Sequence, residues 1–117
     1  MWRIEESSFF GSKFKRYQKD HRSETLATLN NFDTYFKALQ SVSKPVLVRA
    51  GFIHPEKNGV IAIDESGMGG KPHKTRFYIY ASEDDQVVHL ITIGDKNSQN
   101  QDLADCRSFM KNLKRSE

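Results

Sequence analysis

The chain has 117 residues, which is the usual size of one globular domain, so residues 1–117 are predicted to form a single domain. Its net charge of +3, with 28% charged residues, permits an anionic partner but does not require one. The single cysteine, Cys106, excludes an intrachain disulfide and a multi-cysteine zinc site, which indicates the cytoplasm. The sequence contains no apolar run long enough to span a membrane and no signal-peptide pattern.

The N-terminal part of the chain predicts a short strand followed by two helices. Apolar and polar residues alternate over residues 2–5, which is typical of a strand. Aromatic residues recur at helical spacing over 10–19, and a second helix is predicted over 24–40 with Ser23 as its N-cap. Pro45 follows and cannot extend that helix. The buried stripe of the second helix is predicted to consist of Leu26, Leu29, Phe32 or Asp33, Phe36 and Leu39.

Beyond Pro45 the hydrophobic pattern changes from the helical period to the period of β-strands. Strands are predicted over residues 46–48, 59–63, 75–81 and 87–93, with a glycine-rich loop at 66–74. Ser98 and Gln101 resemble a capping box, which predicts a last helix from that point. One face of this helix is apolar and contains Leu103, Cys106, Phe109 or Met110, and Leu113.

The order of these elements predicts an α+β fold. A short N-terminal strand and two helices are expected to pack on one face of a curved antiparallel sheet of about four strands, and a C-terminal helix follows. Alternation along the strand at 75–81 places Phe77, Ile79 and Ala81 on one face of the sheet and Arg76, Tyr78 and Tyr80 on the other.

The common catalytic signatures are missing from the sequence. There is no G-x-S-x-G, H-E-x-x-H or C-x-x-C motif and no phosphate-binding glycine loop. His21, His54, His73 and His89 are scattered without metal-ligand spacing, so neither a metal ion nor a cofactor is predicted. His89, within an apolar strand, is interpreted as a structural histidine. Cys106 lies on an apolar helix face and is interpreted as a small buried hydrophobe.

The glycine-rich segment is the clearest candidate for contact with nucleic acid. Between residues 66 and 76 it contains Lys71, His73, Lys74 and Arg76 and no acidic residue. Glycine allows close backbone approach, and lysine and arginine neutralise phosphate charge. The same composition is typical of a solvated loop, but Arg76 begins a strand and is therefore held more rigidly than a loop lysine.

Two further features flank this segment. Tyr78 and Tyr80 share a face with Arg76 and are suited either to stack on bases or to pack under a helix. Lys96 follows the last strand, in a position that is also typical of an ordinary polar loop.

Four stretches of the C-terminal half together resemble one known family. They are KTRFYIY at 74–80, VVHLITI at 87–93, GDKN at 94–97 and the pair Asp102 and Leu103. This arrangement is similar to the RelE/ParE superfamily of bacterial type II toxins, and closest to its HigB-like members. A short strand and two helices precede the sheet in that fold, so the resemblance covers nearly the whole chain.

The resemblance implies a cytoplasmic, ribosome-dependent endoribonuclease that cuts mRNA without a metal ion, inhibits translation and is neutralised by a cognate antitoxin protein. In such cleavage the RNA 2′-hydroxyl attacks its own phosphodiester, and the protein supplies acid–base help and positive charge. Arg76 matches the strand arginine that stabilises the phosphate, and Lys96 matches the basic residue after the last strand. Further basic residues of the family correspond to Lys71, His73 and Lys74, and Tyr78 and Tyr80 are candidate RNA contacts.

Two alternatives stay open. Asp64 and Glu65 stand where many active relatives have basic residues. The chain is therefore also compatible with a ParE-like toxin that inhibits DNA gyrase without cutting RNA, or with an inactive relative that only binds an antitoxin. A basic face on the first helix is a candidate surface for an acidic antitoxin and contains Lys13, Lys15, Arg16 and Lys19.

Overall fold

The computed structural model describes residues 1–116, which form an α+β fold with three helices and a five-stranded mixed sheet. The helices are α1 (Phe10–Asp20), α2 (Arg22–Val42) and α3 (Gln99–Ser116). The strands are β1 (Arg3–Glu6), β2 (Ile53–Pro55), β3 (Val60–Ile63), β4 (Thr75–Ser82) and β5 (Val87–Asp95), in the spatial order β1-β5-β4-β3-β2. No helix within this part of the chain combines the length and the apolar character needed to cross a membrane.

The sheet is antiparallel over β2 to β5, as predicted, but β1 joins it in parallel. Arg3 pairs with Val87 and Glu6 with Leu90. The prediction of an antiparallel sheet is therefore wrong at this edge. Two helices and three strands lie between β1 and β5, so no short turn determines their relative direction, and parallel pairing needs such a long crossover.

Helices α1 and α2 pack on one face of the sheet, as predicted. The ring of Phe77 on β4 lies 5.6 Å from that of Phe10 on α1 and 5.3 Å from that of Phe32 on α2. Tyr35 and Leu39 complete the α2 side of this core. Aromatic side chains dominate the layer because each buries a large apolar surface.

The buried stripe of α2 differs from the predicted one. Leu26 is 59% exposed, whereas Thr25 and Thr28 are buried, so the buried face is rotated toward the threonines. The Thr28 hydroxyl donates to the Glu24 carbonyl at 2.8 Å, which satisfies that polar group inside the core. The helix also begins at Arg22, with His21 at the N-cap, so the prediction of a Ser23 cap is wrong.

Residues 46–48 do not form the predicted strand. Pro45–Leu47 is a 3₁₀ turn with proline in its first position, where the missing N–H costs nothing. Val46 and Leu47 are consequently exposed to solvent. The strand that lies beside β3 is Ile53–Pro55 instead, at the sheet edge, where a proline is tolerated.

Helix α3 covers the opposite face of the sheet. Tyr78 and Ile91 pack there with Cys106 and Met110 of α3, which confirms the predicted faces of β4 and of the last helix. Burial raises the pKa of the Cys106 thiol to about 12, so this cysteine is a packing residue and not a nucleophile.

Candidate functional site

The start of β4 and the end of β5 meet at one end of the sheet. Thr75 is paired with Asp95, and Arg76 is paired with Gly94. This antiparallel register brings the glycine-rich loop beside the turn that contains Lys96.

His73 makes three contacts at this sheet end. Its Nε2 lies 2.8 Å from Asp95 Oδ2, and its backbone N–H donates to Glu24 Oε2 at 2.8 Å. Its ring stacks on that of His21, with 4.1 Å between the ring centroids and 6° between the planes. Two imidazoles and a carboxylate therefore lie together beside the corner between α1 and α2.

His21 is held at the corner between α1 and α2. Its N–H donates to the Tyr17 carbonyl at 3.0 Å, and its carbonyl accepts from Thr25 N–H at 2.9 Å. The Tyr17 ring lies 4.6 Å from the His21 ring, and the Tyr17 hydroxyl is 2.7 Å from Thr75 Oγ1. Burial raises the pKa of Tyr17 to about 12, so its neutral hydroxyl joins α1 to β4.

Asp95 is oriented by the turn that follows it. Its Oδ1 accepts from the N–H groups of Asn97 at 2.9 Å and Ser98 at 3.2 Å. The Ser98 hydroxyl accepts from Asp95 N–H, so the capping box joins Asp95 and Ser98, not Ser98 and Gln101. Partial burial acts to raise the pKa of Asp95, but the hydrogen bonds from His73 and from the turn lower it below its ordinary value.

His21 and His73, which lie far apart in the sequence, come together in the structure. One ligand-type atom from each of these residues and one from Asp95 all lie within 4.8 Å of one another. No spacing in the sequence indicated this cluster, because His21 and His73 meet only when the loop before β4 packs on the corner between the helices.

Arg76 is separated from His73 by the sheet itself. Thr75 bonds to Tyr17 on the α1–α2 face, and alternation places Arg76 on the α3 face, where its charge acts on Tyr78. Arg76 is half-buried, and its buried Nη1 has no hydrogen-bond partner within residues 1–116. The two predicted catalytic residues therefore approach each other only around the end of the sheet.

The predicted lysines of the site, Lys71, Lys74 and Lys96, are exposed. The ion pairs found within residues 1–116 do not include them. Gly67 and Gly70 adopt φ values of 97° and 77°, which glycine reaches without strain, and the loop with Lys71 depends on them.

Tyr78 is not available for base stacking, whereas Tyr80 is only partly buried. Tyr78 is 0% exposed beneath α3, and none of the described residues hydrogen-bonds to its hydroxyl. Tyr80 is half-buried and lies against the ring of His89, with 6.2 Å between centroids. For Tyr78, packing under a helix is the interpretation observed, because α3 covers this residue. His89 is buried as expected of a structural residue, with its Nδ1 3.9 Å from Glu5 Oε2.

The two acids that depart from the family pattern have structural partners. Glu65 is buried, and its Oε1 accepts from Thr75 N–H at 2.7 Å. Asp64 Oδ2 lies 2.5 Å from His54 Nε2, and its Oδ1 accepts from Ser66 N–H at 2.8 Å. Both carboxylates are thus explained by the loop and strand ends that they hold in place.

A buried ion pair lies beneath the Asp95 turn. Lys13 of α1 contacts the fully buried carboxylate of Asp102 on α3, which also accepts from the Ser98 hydroxyl at 2.7 Å. A side chain at Gly94 would collide with Asp102 and Ser98, so this position requires glycine. Lys13 therefore does not belong to the predicted antitoxin surface, which is reduced to the exposed Lys15, Arg16 and Lys19.

Comparison of the chain with protein-family models, with curated proteins and with solved structures found no match.

Proposed function

We propose that this chain is a cytoplasmic toxin of the RelE/ParE superfamily that cuts ribosome-bound mRNA without a metal ion and is silenced by a cognate antitoxin protein. The proposal starts from the resemblance of the C-terminal half. The observed layers are compatible with it, because a short strand and two helices precede antiparallel strands and a C-terminal helix follows them.

One observation carries the proposal: His73 stacks on His21 and is bonded to Asp95 at the end of the sheet. RNA transesterification needs a base for the 2′-hydroxyl and an acid for the 5′-oxygen, and histidine serves most often in both roles. Asp95 fixes the His73 ring and stabilises it once it is protonated, as a carboxylate does in a catalytic triad.

The proposed reaction uses these groups as follows. The His73 ring accepts the 2′-hydroxyl proton while the 2′-oxygen forms a bond to phosphorus. The bond from phosphorus to the 5′-oxygen breaks, and His21 donates a proton to that oxygen. The products are a 2′,3′-cyclic phosphate and a 5′-hydroxyl end, so no oxidant, metal or water is consumed.

Negative charge that develops on the phosphorane requires cations nearby. Lys74 follows His73 directly and Lys96 follows Asp95 directly, and both are exposed. Arg76 offers paired donors that remain charged. A phosphate bound at the end of the sheet is expected to contact both Arg76 and His73.

The direct experiment is induced expression of the chain alone, followed by primer extension on cellular mRNA. New 5′ ends within reading frames, together with growth arrest, are expected. Arg76→Ala is expected to abolish both while the protein still folds and binds its antitoxin, and Lys96→Ala to weaken cutting less. Arg49→Ala, which removes an exposed arginine beside Ile53 and Pro55 at the β2 edge of the sheet, is the matched control. Growth arrest with intact mRNA and inhibited gyrase would contradict the proposal and favour the ParE-like alternative.

A further inference from the structure

The cluster of His21, His73 and Asp95 has the composition of a metal site as well as that of an acid–base pair. Two imidazoles and one carboxylate are a ligand set used for first-row transition metals. The three ligand-type atoms already lie within 4.8 Å of one another, and ligands about 2 Å from one ion are separated by roughly 3–4 Å.

Each of the three residues is anchored by a contact that leaves a ligand atom facing the cluster. His21 is fixed through its backbone at the helix corner, and the backbone N–H of His73 is held by Glu24. Asp95 uses Oδ1 for the turn, which leaves Oδ2 for the cluster. Outer contacts of this kind orient metal ligands before the ion arrives.

We propose that His21, His73 and Asp95 bind one divalent transition-metal ion of the class that prefers imidazole, with Zn²⁺ as the reference ion. The rings of His21 and His73 are parallel, so they have to rotate until one nitrogen lone pair of each points at the ion. The ion then takes the place of the proton in the hydrogen bond between His73 and Asp95. The exposed side of His73 leaves one coordination position to water. A Zn²⁺ ion on these atoms occupies the lone pair with which His73 acts as base in the proposed cleavage, so the metal-free form is the one that cuts RNA. The binding itself is measured without RNA and does not rest on that function.

The test is calorimetric titration of the full, tag-free chain with Zn²⁺ after treatment with a chelator. One Zn²⁺ per chain is expected, with no comparable heat from Mg²⁺, which prefers oxygen ligands. His73→Ala and His21→Ala are each expected to weaken Zn²⁺ binding by about tenfold or more. His54→Ala is the matched control, because His54 is also bonded to an aspartate but has no second imidazole stacked on it.

A measurement on the unchanged protein keeps the test independent of how the variants fold. Zn²⁺ is expected to shift the imidazole NMR signals of His21 and His73 and to leave those of His54 and His89 in place. The proposal is overturned if the unchanged chain binds no Zn²⁺, if His54→Ala weakens binding as much as His73→Ala, or if the shifted signals belong to His54 or His89.

Discussion

The described part of the chain, residues 1–116, contains two histidine–aspartate pairs that look alike locally and differ in their surroundings. In both, an Nε2 atom lies against Oδ2 of the aspartate, 2.8 Å from His73 to Asp95 and 2.5 Å from His54 to Asp64. In both, the other carboxylate oxygen accepts backbone N–H groups of a following turn.

Of these two pairs, the His73 pair alone has a second imidazole beside it among the described residues. His21 stacks on it from the corner between α1 and α2, and lysines directly follow both His73 and Asp95 in the chain. The His54 pair lies at the β2 edge of the sheet and closes a loop. The difference shows that a histidine–aspartate contact is an ordinary way to hold a strand end, and that tertiary placement of a second imidazole turns one such contact into a candidate site.

The largest expected difference between the pairs is in RNA cleavage. His73→Ala removes the proposed general base and is expected to lower the rate of mRNA cutting about 10²–10⁴-fold in a translating extract. His54→Ala is expected to leave the rate within about twofold, since it changes only a loop contact. Equal losses in the two variants would show that the pairs do not differ in function.

The next effect concerns the ion pair beneath the Asp95 turn, which the His73 pair depends on. Lys13→Ala leaves the Asp102 carboxylate buried without its cation and is expected to lower the free energy of unfolding by about 3–5 kcal/mol. Lys15→Ala, on the same helix and exposed, is expected to change it by less than about 0.5 kcal/mol. Urea denaturation of both variants provides the measurement. A stable Lys13→Ala protein would mean that the ion pair does not hold the Asp95 turn.

A smaller effect is expected from the serines of the two turns. Ser98→Ala removes the hydroxyl that accepts from Asp95 N–H and donates to Asp102, and the loss of such a cap costs about 1 kcal/mol. Ser66 serves the Asp64 pair through its backbone N–H, which Ser66→Ala retains. Thermal unfolding should therefore separate the two variants by several degrees, and identical melting temperatures would contradict this account.

The smallest effect is on proton binding. Partial burial acts to raise the pKa of Asp64 and of Asp95, but hydrogen bonds outweigh it and hold each pKa below the ordinary 3.8. Each carboxylate therefore contributes stability that is fully present above pH 3.8 and is lost as the pH falls through the lower folded value. Carboxyl NMR titration should show that His73→Ala raises the pKa of Asp95 alone and that His54→Ala raises that of Asp64 alone. A crossed response would show that the pairs are coupled.

The sequence predicted those parts of the fold in which a local pattern of apolar and polar residues is compatible with only one structure. The alternation of β4 gave its two faces, and the apolar positions of α3 gave its buried side. It failed where long-range packing decides, as in the parallel pairing of β1 with β5 and the burial of Thr25 in place of Leu26. The 3₁₀ turn after Pro45 was missed because its valine and leucine suit a strand equally well.

The candidate site was predicted in part for the same reason. The register of β4 with β5 follows from two adjacent strands and an acidic turn, so the proximity of His73 to the Lys96 turn was within reach of the sequence. The position of His21 depends on how the corner between α1 and α2 packs against the loop before β4. The sequence around His21 carries no local pattern that predicts this long-range contact. Tyr78 was misjudged as an RNA contact because periodicity gives a face but does not say what covers it.

The parallel contact between β1 and β5 has a consequence for how the protein is made. Trp2 is buried in the core, yet the strand beside it begins only at Val87, and Asp95 of the candidate site follows later still. Contacts between such distant residues form late, whereas α1 and α2 need only their own neighbourhood. During synthesis, β1 therefore cannot pair with β5 until most of the chain has left the ribosome. Limited proteolysis of chains stalled before and after β5 should find the N-terminal strand protected only in the longer ones.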